Sequence, residues 1–290
     1  MKRVVRGNRN GSLGEEANMK RLAHHFGLAF TLVELLIVIA VVAVLATLIL
    51  PAFGPRRGPP RVKRVQMEAA QIANAVQTYE ADYGNFPVSS NAMNAATASG
   101  QDFTYGTAGL PSGLKTPTGT LNLQALDAAE NPLTYQANNS EVMAALLDME
   151  SWPNAPTVPT INQGHAKNTQ KTLYLNAHMA ADTSSPGIGL DGVYRDPWGQ
   201  PYIITIDLNN DGKARDAFYR EPGISADPSD ASTPKRGLNG LIPKLVGGKT
   251  FYEANAKVMV WSAGLDKMVD NTLGVSANQG ANKDNILSWK

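Results

Sequence analysis

The strongest pattern along the chain is an apolar run. From Phe30 to Leu50 there are 21 residues, and Glu34 is the only charge among them. At about 1.5 Å per residue, such a run would reach about 30 Å as a helix, the depth of a bilayer core. β-branched residues are frequent in it, and lipid would leave the backbone no partner but itself. Behind it, Pro51, Gly54-Pro55 and Gly58-Pro59-Pro60 alternate with Arg56, Arg57, Arg61, Lys63 and Arg64. Prolines this dense interrupt a regular helix, so a break is expected at 54–61. An apolar stripe follows at three- and four-residue spacing: Val65, Ala69, Ile72, Ala73, Val76, Tyr79 and Tyr83. It predicts a helix from Val62, stopped by Gly84 with Pro87 just beyond.

Residues 88–138 are rich in Ala, Thr, Ser, Gly and Asn and read as long loops. Asn139 or Ser140 can cap a short helix near 140–150 carrying Val142, Met143, Leu146 and Leu147. Prolines at 153, 156 and 159 make 151–170 a loop. Strand candidates come late, at Val193-Tyr194, Tyr202–Ile206, Ala217–Tyr219 and Val258–Trp261, and suggest a small antiparallel sheet. The expected fold is α+β: a long N-terminal helix, membrane-spanning in its first half and broken near 54–61, packed on that sheet with long loops. The expected segments are a leader (1–29), an apolar helix (30–53), the break (54–61), a soluble helix and closing turn (62–87), a loop-rich insert (88–190) and a sheet with a C-terminal loop (191–290).

Charge sharpens this picture. Residues 1–29 hold six Lys or Arg against two Glu, while the remainder has 20 basic and 23 acidic side chains. A basic head before an apolar segment points to the cytoplasm. A net charge of +1 argues against a nucleic-acid partner. With no cysteine, disulfides, Cys-based zinc sites, a Cys-linked lipid anchor and thiol catalysis are excluded. His24, His25, His165 and His178 have no metal-ligand spacing, and no G-x-S-x-G, Walker or Rossmann pattern occurs. The chain reads as a non-enzyme, with a membrane-anchored periplasmic hydrolase as the enzymatic alternative.

Three placed features add more. The leader ends in small Ala29, Phe30-Thr31-Leu32-Val33-Glu34 opens the apolar run, and Pro51 closes it. This resembles the N-terminus of type IV pilins and type II secretion pseudopilins. The resemblance implies cleavage by a prepilin peptidase between Ala29 and Phe30, then N-methylation of Phe30. It also implies that Glu34 of one subunit neutralises the Phe30 ammonium of another during filament assembly. A carboxylate at the centre of an apolar helix costs about 2.5–3.5 kcal/mol even on lenient scales, so it demands a partner. The plainer reading is that Glu34 snorkels or favours the helix N-terminus. Ala29 stands where the family usually has Gly, and a 29-residue leader is long for the group.

Later segments resemble the major pseudopilins most closely. Tyr79–Pro87 is similar to their helix-closing turn, and Asp196-Pro-Trp198-Gly199-Gln-Pro201-Tyr202 to the turn that opens their sheet. Val260–Asp266 and Asp284–Trp289 are similar to segments flanking a calcium loop in that family. This implies Asp266 and Asp284 as calcium ligands, with Ser262 in support and Asn285 where the family often has a second Asp. A separate loop, Asp207-x-Asn209-x-Asp211-Gly212, fits the first half of a calcium loop, but Phe218 stands where the closing Glu belongs. An Asn-Asp-Gly turn is the simpler account of it. The implied function is a pseudopilus subunit, single-pass in the bacterial inner membrane with its soluble domain in the periplasm. It would polymerise with itself and work with minor pseudopilins, the peptidase and an inner-membrane assembly platform to drive protein export. The alternative is a type IV pilin of a surface fibre for adhesion or DNA uptake.

Overall fold

The computed structural model describes residues 31–49, 59–106, 108, 114–121, 123–127 and 129–290. It divides into two units, residues 1–55 and 56–290.

In the first unit, α1 (Leu32–Ile49) is an 18-residue helix. Every position from Thr31 to Leu45 is exposed, so the helix presents apolar side chains all round. Its start is a reciprocal cap. Glu34 N–H donates to Thr31 Oγ1 at 3.2 Å, while Thr31 N–H and Oγ1 both donate to Glu34 Oε2 at 2.9 Å. This is the Thr-x-x-Glu capping box, which satisfies donors that a helix end leaves free.

In the second unit the chain runs through α2 (Pro59–Tyr83), α3 (Ser90–Ser99), β1 (Phe103–Tyr105), β2 (Leu114–Thr116), β3 (Gly119–Leu121), α4 (Ser140–Leu146), β4 (Ser151–Trp152) and β5 (Ala155–Pro159). It continues through β6 (Gly187–Ile188), β7 (Tyr194–Arg195), β8 (Ile203–Ile206), α5 (Pro222–Ser225), β9 (Ile242–Val246), β10 (Lys249–Glu253), β11 (Val258–Ser262) and β12 (Ile286–Leu287). One antiparallel sheet has the order β1-β8-β11-β12, and the other strands form two-stranded pairs.

Alternation along β8 and β11 builds two cores. Ile204, Ile206, Val258 and Val260 join the α2 stripe from Val65 to Tyr79. Ile203, Met259 and Trp261 face the opposite way, towards Phe218, Tyr219 and Tyr252. Because both faces are covered, β8 and β11 are apolar almost without interruption, unlike antiparallel strands with one wet face.

The expected long N-terminal helix, membrane-spanning in its first half, is overturned. α1 and α2 are separate elements of 18 and 25 residues in different units, and no helix among the described residues is long and apolar enough to cross a membrane. The physical reason within the described residues is proline: α2 opens with Pro59 and Pro60, which supply no N–H for a ladder continuous with a preceding helix. In place of the one small antiparallel sheet expected, the strands among the described residues are spread over five small antiparallel sheets.

Other differences have local causes. α2 starts at Pro59, inside the expected break, where a missing N–H is harmless in a first turn. The 88–138 stretch contributes α3, capped by Ser89 Oγ accepting from Ala92 N–H and ended by Gly100 in the left-handed region. It also contributes β1, which reaches the central sheet. Residues 217–219 are not a strand: Asp216 Oδ1 accepts the N–H groups of Phe218 and Tyr219, both at 2.9 Å, and curls the chain into a turn.

Candidate cation site in the C-terminal loop

β11 ends at Ser262, and the chain returns to β12 only after Asn285. Loop 263–285 is tied across its base. Asn282 Oδ1 accepts Asp270 N–H at 2.7 Å, and Asn282 Nδ2 donates back to the Asp270 carbonyl at 2.7 Å. Asp284 Oδ2 accepts the N–H groups of Leu265 at 3.0 Å and Asp266 at 3.2 Å. Gly264 has φ +73°, and a Cβ there would collide with the Asp284 carbonyl, so only glycine allows this approach.

These ties bring Asp266 and Asp284 to one end of the loop. The Asp266 carboxyl lies above the usual carboxylate range, first through partial burial and then through the Asp284 charge, with the Met268 N–H opposing. Two oxygens of consecutive residues, Asp284 Oδ1 and Asn285 Oδ1, are buried without a donor among the described residues. An unsatisfied buried acceptor costs about 1–3 kcal/mol. Asn285 Nδ2 is occupied, donating to the Tyr219 hydroxyl at 2.9 Å.

Ser262 does not join them. It is fully buried; its Oγ donates to Asp196 Oδ2 at 2.5 Å and accepts Gly264 N–H at 3.1 Å. Asp196 is raised by burial above all, and its other oxygen accepts Trp198 and Gln200 N–H. The Trp-Gly-x-Pro turn is thus organised by an aspartate that β11 holds through Ser262. In the sequence Asp196 is legible only as the first residue of that turn motif and Asn282 not at all, although Asp two positions before Trp198 is the usual place for a turn-forming side chain.

Asp207, Asn209 and Asp211 make a turn. Asp207 accepts Asp211 N–H at 3.2 Å and Gly212 N–H at 2.8 Å, Asn209 accepts Asp211 N–H at 3.0 Å, and Asp211 accepts Lys213 N–H at 3.1 Å. Both Asp207 oxygens, Asn209 Oδ1 and Asp211 Oδ1 are engaged by the loop's own backbone. Among the described residues no group of three or more His, Asp or Glu side chains is placed to hold a metal. Any calcium ligand set here would therefore draw on backbone carbonyls and water for much of its six to eight oxygens.

Of the processing and assembly residues, Glu34 is described and caps α1 as above. Ala29, Phe30 and Pro51 lie outside the described residues. No protein-family model, curated protein or solved structure matches this chain.

Proposed function

We propose that the chain is a structural, non-enzymatic subunit of a pseudopilus-type filament at the bacterial inner membrane. In this reading it is cleaved before Phe30 by a prepilin peptidase and polymerises through α1, with unit 56–290 on the periplasmic side. The observation that carries the reading is α1 itself: an 18-residue apolar helix with Glu34 its one charge, exposed at every position from Leu32 to Leu45. A helix hydrophobic all round is stable only when enclosed, and copies of itself are the simplest enclosure. The Phe-Thr-Leu-x-Glu start gives the enclosure a register, because Glu34 is the one charge in it. With minor pseudopilins and an assembly platform, such a filament would push proteins outward.

Calcium is part of this proposal. Asp284, Asn285 and Asp266 would hold it, and it would supply positive charge to Asp284 Oδ1 and Asn285 Oδ1, which lack a donor among the described residues.

N-terminal mass spectrometry of the membrane-fraction protein tests the reading. N-methyl-Phe30 as first residue supports it; a mature chain retaining residues 1–29 overturns it. Electron microscopy of a Glu34→Ala variant adds a second arm, with membrane-associated but unassembled protein as the expected result.

A further inference from the structure

Ala108 and residues 135–161 line an open cleft of about 290 Å³, with Tyr135, Asn138, Glu141, Trp152 and Thr160 on its walls. The loop-rich insert builds it, and nothing in the filament reading uses it. Its size is at the lower end of small-ligand sites.

The cleft has one fixed aromatic wall. Trp152 lies on β4, paired to Ala155 of β5. Asn154 N–H donates to the Leu190 carbonyl at 3.1 Å, which ties that hairpin to the 189–192 turn. There Gly192, at φ +73°, packs on the six-membered ring of Trp152, where any Cβ would collide with it. The indole is half-buried and lines the cleft. No described residue accepts its Nε1–H.

The floor is polar and pre-arranged. Glu141, buried on α4, accepts Ser89 N–H at 2.7 Å, the Tyr105 hydroxyl at 3.4 Å and the Tyr135 hydroxyl at 2.7 Å. Tyr135 spends its proton on Glu141, and its oxygen, with the Ser89 hydroxyl beside it, keeps acceptor capacity. Asn138 Oδ1 accepts the Ser140 N–H at 3.0 Å and the Ser140 hydroxyl. This fixes the amide orientation and leaves its N–H₂ without an acceptor among the described residues.

A rigid aromatic plate beside fixed donors and a hydroxyl acceptor suits a ligand with one apolar face and a hydroxylated rim. We propose that this cleft binds a neutral saccharide, with a pyranose ring on Trp152 and its hydroxyls meeting Asn138 Nδ2 and Tyr135 Oη. The inference is independent of the filament reading: the site would work on the subunit alone.

An array of immobilised neutral mono- and oligosaccharides, probed with the full chain in micelles of a sugar-free zwitterionic detergent, tests it. Retention on at least one sugar is expected, weakened at least tenfold by Trp152→Ala and mostly kept by Trp152→Phe. Asn138→Asp preserves the acceptor for Ser140 but removes the N–H₂ donors, and should weaken binding about tenfold at an unchanged unfolding temperature. This variant decides the matter if Trp152→Ala does not fold. Retention on no sugar, or equal retention by the Asn138→Asp protein, overturns the proposal.

Discussion

The Tyr202 hydroxyl donates to Glu68 Oε2 at 2.5 Å, joining α2 to the entry of β8 across 134 positions of chain. Glu68 is buried, and its other oxygen accepts from Arg64 Nε at 2.8 Å. A buried carboxylate on the sheet-facing side of a helix is costly unless each oxygen has a donor. Here the donors come from both elements. Tyr202→Phe should therefore destabilise the second unit by about 1–3 kcal/mol, read as a lower urea midpoint with an unchanged slope.

Asp216 is a second node, and its loss should be worse. It is fully buried, and its Oδ2 accepts Thr205 Oγ1 at 2.7 Å and Trp261 Nε1 at 3.0 Å, while Oδ1 holds the 217–219 turn. Asp216→Ala strands two buried side-chain donors and two N–H groups at once. A loss above about 3 kcal/mol is expected, seen as insoluble protein or a collapsed near-ultraviolet dichroism signal.

The Asp102 carboxyl predicts a pH dependence. It is 6 % exposed, with Oδ1 lacking a donor among the described residues. Burial pushes it up to about 8, Asp207 and Asp211 add to the rise, and the Arg215 N–H opposes it. An unfolded chain would titrate this group near pH 4. Folding thus favours the protonated form, and its contribution is full below about pH 4 and lost as pH rises through about 8. Between pH 4 and 8 the wild-type chain should lose more stability than Asp102→Asn, by more than about 1 kcal/mol. Urea midpoints at pH 4, 6 and 8 measure this; parallel curves for the two proteins would refute it.

Calcium should raise the unfolding temperature, and a chelator should reverse the rise. At a concentration 100 times its dissociation constant the gain is about 2.7 kcal/mol. Asp284→Asn keeps an acceptor for the Leu265 and Asp266 N–H groups but removes the charge, and should abolish the gain. Asp207→Asn, at a side chain whose two oxygens are already engaged by backbone, should leave it intact. A calorimetric scan with and without the ion distinguishes the two variants.

The legible and illegible parts of this chain differ by the range of the interactions behind them. The Val65–Tyr79 stripe was readable because helix period and burial coincide on one element. β8 and β11 were readable because Ile203–Ile206 and Val258–Trp261 are dense in β-branched and aromatic residues. β1 was not, since Phe103-Thr104-Tyr105 is a strand only through its pairing with Ile204–Ile206, about a hundred positions away. Ala217–Tyr219 looked like a strand by composition, but Asp216 outcompeted it locally. At the candidate site, Asp266 and Asp284 do come together, whereas Ser262 is claimed by Asp196, a contact 66 residues long that no local pattern announces.

The strand order β1-β8-β11-β12 also governs when this protein can fold. Phe103 sits opposite Ile206, Val258 on the other side of Ile206, and Ser262 opposite Ile286. No two neighbours in the sheet form a tight hairpin, so every pairing closes a long loop before it is rewarded. A chain emerging from a ribosome or through a translocation channel cannot complete this sheet until residue 287 is out. Until then its most apolar strands lack their partners, a state suited to being threaded unfolded and dependent on protection while it lasts.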